Sequence, residues 1–354
     1  MHTHDEVLFE TISGNGGNLG VMTLNRPAVL NSLHHNMVLA MHAQLKVWAT
    51  DTNIKAVVIR AVEGRAFCAG GDIRSTYDHM RKHDMSIVNF FRDEYQLNRC
   101  IYHFPKPYIA LLDGITMGGG VGISIHGSHR VATDRLVFAM PETGIGFFPD
   151  VGGTYFLPRL PGYTGYYLGL TGARIKIDDC VMLGIMQHKV QQSALPHLLD
   201  ALTEEKFGNN AHDSVTDIIN QFHVPVTIAP LMEYQKLIDE CFSLQTMEDI
   251  LLALQSQSNE FATEAIKSFA SKSPTSLKVT LRALQVGRQL DFDACMQQEF
   301  RLATRFLLGH DFLEGIRAVI IDKDQTPHWQ PANVEEVKNN MVEDYFSPLA
   351  KELV

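Results

Sequence analysis

The sequence predicts an α/β protein, with a core of strands and helices followed by a helical region. Three observations predict this class. Short apolar runs alternate with helix-length amphipathic segments through the first half of the chain. Such alternation implies parallel strands joined by right-handed crossovers. Glycine-rich turns lead from strand ends into the helices that follow. From about Ile177 the chain becomes mostly helical. A length of 354 residues leaves room for about two domains, or for one large domain with an appendage. The expected division is an α/β core over 1–210 and a helical region over 211–354.

The elements follow in order. Glu6 to Asn25 reads as two strands around the turn cluster Ser13-Gly14-Asn15-Gly16-Gly17-Asn18. Asn31 to Thr50 reads as an amphipathic helix, with Leu33, Met37, Leu45 and Trp48 among its apolar positions. Ala56 to Ala61 and Tyr108 to Asp113 are buried strands, with a helix over Ile87 to Phe104 between them. Gly118 to Gly127 is a glycine turn and a small-residue helix, and Arg130 to Met140 is a strand region. The helices expected beyond are Asp178–Gly184, Ala194–Thr203, Ala229–Cys241, Met247–Gln255, Glu260–Ser271, Ser276–Leu290 and Phe292–Leu308. Gly208-Asn209-Asn210 and Ser273-Pro274 punctuate them.

Composition excludes some functions. Lys and Arg total 30 against 40 Asp and Glu, a formal charge of −10. That balance argues against a generic nucleic-acid binder, which needs a basic face. It leaves room for a local basic pocket that takes an anionic small molecule. No apolar run approaches the ~20 residues that span a bilayer, so no membrane partner is expected. Met1 to Glu10 carries acids and no basic n-region, so no signal or transit peptide is expected. The five cysteines lie far apart, with no C-x-x-C pair. They suit a reducing compartment: the cytoplasm, or the mitochondrial matrix for a processed eukaryotic chain.

Three glycine-rich segments carry the chemistry. The first is Arg65-Ala66-Phe67-Cys68-Ala69-Gly70-Gly71-Asp72-Ile73-Arg74. The second is Asp113-Gly114-Ile115-Thr116-Met117-Gly118-Gly119-Gly120-Val121-Gly122. The third runs from Pro141-Glu142 to Asp150-Val151-Gly152-Gly153. The first two are strand-to-helix turns. There the first helical N–H groups lack internal partners and the helix dipole adds positive potential. Two such turns facing each other would aim two donors at one carbonyl oxygen. Each donor in such a hole stabilises a transition state by about 3 kcal/mol. The third segment supplies two carboxylates, Glu142 and Asp150, on a curved loop. A lone glycine turn is most often only a turn, so the weight lies on the three together.

Other motifs are weak. No G-x-x-x-x-G-K-[ST] is present, and Gly118 to Gly122 lacks the dinucleotide spacing. No G-x-S-x-G elbow is present. His79 and His83 stand four apart in a predicted helix without an H-E-x-x-H, and no metal is expected. Cys68 reads as a small packed residue rather than a nucleophile.

Taken together, Ala66 to Asp72, Gly114 to Gly120 and Pro141-Glu142 leading into Gly152-Gly153 resemble the crotonase (enoyl-CoA hydratase/isomerase) superfamily. Further segments extend the likeness over nearly the whole chain. They are Phe90 to Tyr95, Phe138 to Asp150, Ser273 to Lys278, Gly309 to Phe312, Gly315 to Ala318 and Ile321 to Asp324. The resemblance implies a spiral of β-β-α units with a carboxyl-terminal helical region, and an acyl-CoA substrate. It assigns the oxyanion hole to the amides of Gly71 and Gly119. It matches Glu142 and Asp150 to the two catalytic carboxylates, and Glu94 to a substrate-binding acid. It implies no cofactor, since coenzyme A is part of the substrate, and it allows a homo-oligomer.

One position discriminates within the superfamily. Hydratases similar to crotonase use a second glutamate three residues after the oxyanion glycine, where this chain has Gly122. Asp150 stands where those hydratases generally lack an acid. Both departures point to the hydrolase branch, acting on a short β-hydroxyacyl-CoA such as the 3-hydroxyisobutyryl or 3-hydroxypropionyl thioester, with a role in valine breakdown. The alternatives are a hydratase or isomerase of the same family, and a non-catalytic acyl-CoA-binding protein.

Overall fold

The computed structural model describes residues 6–208 and 210–353. The leader reading at residues 1–5, and Asn209 of the predicted turn, lie outside them. The chain divides into two units, each assembled from three stretches. The first comprises Met1–Gly71, Gln96–Phe138 and Ile175–Pro230; the second comprises Asp72–Tyr95, Ala139–Arg174 and Leu231–Val354. All ten named strands end by Val190, and the named elements beyond it are helical.

The first unit is built on two sheets. β1 (Val7–Ile12) pairs antiparallel with β2 (Asn18–Leu24), Val7 opposite Leu24, as the turn cluster predicts. β2 then runs parallel to β3 (Ile54–Ala61). Two further strands are β4 (Ala66–Cys68) and β5 (Tyr108–Leu112). They are followed by β6 (Ile115–Met117), β7 (His129–Thr133) and β8 (Val137–Ala139). The last are β9 (Ile175–Lys176) and β10 (His188–Val190). One sheet has the order β1-β2-β3-β5-β7-β10, and every pair after the hairpin is parallel. The smaller sheet has the order β4-β6-β8-β9.

Side-chain alternation divides the large sheet's faces. Leu19 and Val21 of β2, with Ala56, Val58, Ile109 and Leu111, pack on Leu198, Leu202, Val215 and Ile219. The last two belong to the helix Ala211–Phe222, which the sequence reading did not include. Gly20, of opposite parity, lies against the Trp48 indole of α1 (His35–Thr50). The predicted start of that helix at Asn31 is too early. Leu30 and Asn31 both hold φ 54, and Leu33 forms a bridge with Gly71. Arg130 to Met140 is broken too, because Asp134 and Arg135 turn the chain between β7 and β8.

In the second unit helices start where capping residues stand. Asp72 accepts from Ser75 N–H at the head of α2 (Ile73–Arg81). Ser273 accepts from Ser276 N–H at 3.0 Å, with Pro274 opening the helix Pro274–Gly287. Asp291 accepts from Ala294 N–H at 2.8 Å and heads the helix Phe292–Phe306. His83 lies beyond the end of α2 at φ 54, so His79 and His83 are not two sites on one helix face. No helix among the described residues is long and apolar enough to cross a membrane.

Candidate active site

Parallel pairing sets the two glycine turns side by side. Ala66 of β4 faces Ile115 of β6, and Cys68 faces Thr116. Both strands therefore end at the same edge. Leu33 N–H donates to the Gly70 carbonyl at 2.8 Å, and Ala69 N–H to the Leu30 carbonyl at 3.0 Å, which fixes the first turn. A Cβ added to Gly70 would sit 3.7 Å from the Gly119 nitrogen. Gly118 holds φ 48 and ψ −124, a conformation for glycine alone. Gly119 opens the short helix α3 (Gly119–Gly122), so its N–H has no intrahelical acceptor. The turns that carry Gly71 and Gly119 thus lie close together. Cys68 is fully buried and its thiol donates to the Gly70 carbonyl at 3.7 Å, the geometry of a packed residue.

The acids gather within the second unit. Glu94 lies on the helix Ile87–Tyr102. Glu142 opens a short 3-10 turn, Glu142–Ile145, and Asp150 follows on the loop. They are 3%, 7% and 5% exposed, so all three are taken out of water. Burial pushes Glu142 well above the carboxylate range, and the charge of Asp150 adds to it. Glu94 rises well above that range for the same two reasons. Burial lifts Asp150 to about 7, against the pull of hydrogen bonds from the Tyr95 hydroxyl and its own amide. The helix and the loop therefore set Glu94 and Glu142 within reach of the Asp150 charge. Glu94 Oε1 and Glu142 Oε2 are buried without a hydrogen-bond partner among the described residues. Such bare oxygens are costly unless a ligand fills their valence.

Three residues absent from the predicted site stand beside it. Tyr95 donates to Asp150 Oδ2 at 2.8 Å. Lys272 reaches the Glu142 turn, where a Cβ on Gly144 would meet its Nζ at 3.1 Å. Burial lowers the Lys272 ammonium's pKa, while the charge of Glu142 raises it. Glu299 accepts from the Gly152 and Thr154 amides. Tyr95 could have been found, because it adjoins Glu94 in a segment that carries the family likeness. Nothing in the sequence marks Lys272 or Glu299. Aromatic rings back the loop: Phe147 stacks on Phe312 at 4.4 Å, and Phe148 on Phe306 at 5.5 Å. Of the basic residues near the motifs, Arg26 is committed to Glu6 at 2.8 Å.

The parallel strands, the paired glycine turns and the buried acids define a crotonase-type α/β protein. A family model described as enoyl-CoA hydratase/isomerase matches residues 19–346, and the chain belongs to that family. It is 43% identical over 351 residues to the mitochondrial 3-hydroxyisobutyryl-CoA hydrolase of Gallus gallus, covering 98% of this chain and 91% of that protein. It is 44% identical over 354 residues to the Rattus norvegicus protein of the same name, covering 99% and 91%. Among solved structures, a carnitinyl-CoA dehydratase from Mycobacterium thermoresistibile superposes with a TM-score of 0.91 at 38% identity, covering 99% of this chain and 98% of that one.

Proposed function

We propose that this protein hydrolyses 3-hydroxyisobutyryl-CoA to 3-hydroxyisobutyrate and free CoA, the step its hydrolase relatives are named for. The observation that carries the reading is the acid set. Glu142 and Asp150 are buried on one loop, while position 122 is a buried glycine within a four-residue helix. Hydration of a double bond uses two carboxylates on one water; here the second has no side chain to come from. Thioester hydrolysis needs one group that delivers oxygen to the carbonyl, and donors for the oxyanion.

In this mechanism the amides of Gly71 and Gly119 take the thioester oxygen as it becomes negative. Glu142 acts in its ionised form, which the Lys272 charge favours against burial. It forms the new carbon–oxygen bond directly as an acyl anhydride, or draws a proton from the water that does so. The carbon–sulfur bond breaks, and the CoA thiolate leaves with its electron pair and is protonated. Water completes the acid. Asp150 and Glu94 hold the substrate's β-hydroxyl. A site built around that hydroxyl rejects an acyl group lacking it, because its buried polar groups are left unpaired.

No cofactor takes part, since CoA enters and leaves with the substrate. The partner is the acyl-CoA alone, apart from assembly into a homo-oligomer, which light scattering on the purified chain reads. The named relatives are mitochondrial, and five cysteines without a disulfide suit a matrix or a cytoplasm.

The deciding experiment compares two assays. CoA thiol release from 3-hydroxyisobutyryl-CoA is expected, with little loss of enoyl absorbance from crotonyl-CoA. The reverse ranking would make the protein a hydratase. Binding without turnover in both would make it a carrier.

A further inference from the structure

The reaction described above gives no part to Glu299, a fully buried carboxyl. Glu299 lies on the helix Phe292–Phe306. Its Oε2 accepts from Gly152 N–H at 2.8 Å. Its Oε1 accepts from Thr154 N–H at 2.9 Å and from the Thr154 hydroxyl at 2.7 Å. A carboxylate in a dry interior is costly, and an apolar side chain would fill the space at less cost. Three donors converging on it mean that the acceptor itself is what the site requires.

What those donors flank is a strained step. Val151 holds φ 50 and Gly152 φ 88, directly after Asp150. A β-branched residue in the left-handed region is a true outlier, kept only where its surroundings over-determine it. Glu299 supplies that restraint, binding Gly152 and Thr154 on the far side of Val151. Tyr95 holds the Asp150 carboxylate from the other end, at 2.8 Å. Asp150 is therefore gripped twice, once by its side chain and once through its backbone.

Resting on the hydrolase reading above, we propose that Glu299 is a positioning residue for Asp150. Its carboxylate clamps the turn from Val151 to Thr154, so that Asp150 meets the substrate's β-hydroxyl in one orientation. The clamp also has an electrostatic side. Burial lifts Glu299 to about 8, and the Asp150 charge adds to this. The titratable groups around Glu299 are Asp150, Tyr95 and Cys295. Those around Asp150 are Tyr95, Glu94, Glu142 and Glu299. Asp150 ionises first, so its charge bears on Glu299 and not the reverse.

Two measurements test this on the full-length protein. First, Glu299→Gln keeps the shape and the Thr154 acceptor, but sets an amide against Gly152 N–H. We expect kcat to fall about 10-fold to 100-fold, with KM within about twofold. Glu299→Asp keeps a carboxyl acceptor for the Gly152 and Thr154 amides, so it should recover part of kcat. Second, hydrogen exchange at the Gly152 and Thr154 amides reads the clamp without substrate. It should speed at least about tenfold in Glu299→Ala. With an active wild type, a kcat within about twofold of wild type in Glu299→Gln, or amides that exchange as before in Glu299→Ala, overturns the proposal. A wild type that releases no CoA overturns the hydrolase reading instead, and exchange alone then decides the clamp.

Discussion

The Tyr95 hydroxyl donates to Asp150 Oδ2 across 2.8 Å, and both side chains are buried. Burial first, and the Asp150 charge next, push the Tyr95 phenol well above its usual range. Tyr95 is therefore a fixed donor that favours ionised Asp150. Tyr95→Phe removes the donor and little volume. Asp150 should then titrate higher than its present value of about 7. The expected result is a loss of about tenfold in kcat near neutrality. The limb set by Asp150 should move to higher pH, because in the wild type the Tyr95 hydrogen bond holds it down. A pH–rate profile of the variant that keeps the wild-type limb would remove Tyr95 from the account.

The same burial makes a prediction about stability. Asp150 is lifted from 3.8 to about 7, first by burial. The folded state thus holds this proton more tightly than the unfolded chain does. The stability it contributes is complete below about pH 4 and lost as pH rises toward 7. Asp150→Asn carries no such titration and can still accept from Tyr95. Its melting temperature should match the wild type near pH 4 and exceed it by several degrees at pH 8. Equal melting curves at both pH values would mean that Asp150 is not desolvated as described.

The glycine turns predict a structural lesion next to the amide pair. A Cβ at Gly120 would sit 2.2 Å from the Cys68 carbonyl oxygen, a backbone atom that cannot swing away. Gly120→Ala must therefore push the short helix off β4 and carry Gly119 with it. We expect a loss of about 1–3 kcal/mol in stability and a fall in kcat larger than the change in KM. Urea unfolding and steady-state kinetics on one preparation check both. Gly64→Ala is the control, since its added Cβ meets nothing closer than 3.7 Å.

How much of this was legible in the sequence follows the length scale of each signal. Strands of five residues or more announce themselves, as in Ala-Val-Val-Ile of β3 and the run of β5. The ladders at β4, β6, β9 and β10 are two or three residues long. They have no room for alternation, so no periodicity reveals them. Glu142, Asp150 and the glycines stand out in the sequence because each lies in a turn whose composition is unusual. Glu299 does not, because its partner Gly152 lies 147 positions away and its helix reads as an ordinary amphipathic one. Lys272 was hidden for a related reason. What marks it is the bare Gly144 beneath it, a fact of packing and not of spacing.

The last prediction concerns how Glu142 acts. Its Oε2 is buried with no hydrogen-bond partner among the described residues, and the residue is 7% exposed. A carboxylate that activates water needs that water held beside it by a second polar group, and Gly122 offers no side chain for this. Direct attack needs only the bare oxygen. We therefore expect an anhydride between Glu142 and the acyl group. A single turnover in heavy-oxygen water should leave label in the Glu142 carboxyl, as water opens the anhydride at the Glu142 carbonyl. Mass spectrometry of the peptide carrying Glu142 reads it directly. Label confined to the released acid would place the water's attack at the acyl carbonyl and overturn opening of an anhydride at Glu142. In either case Glu142→Gln should cut kcat by about a thousandfold or more. Acyl-CoA affinity should survive, because the amides of Gly71 and Gly119 belong to the backbone.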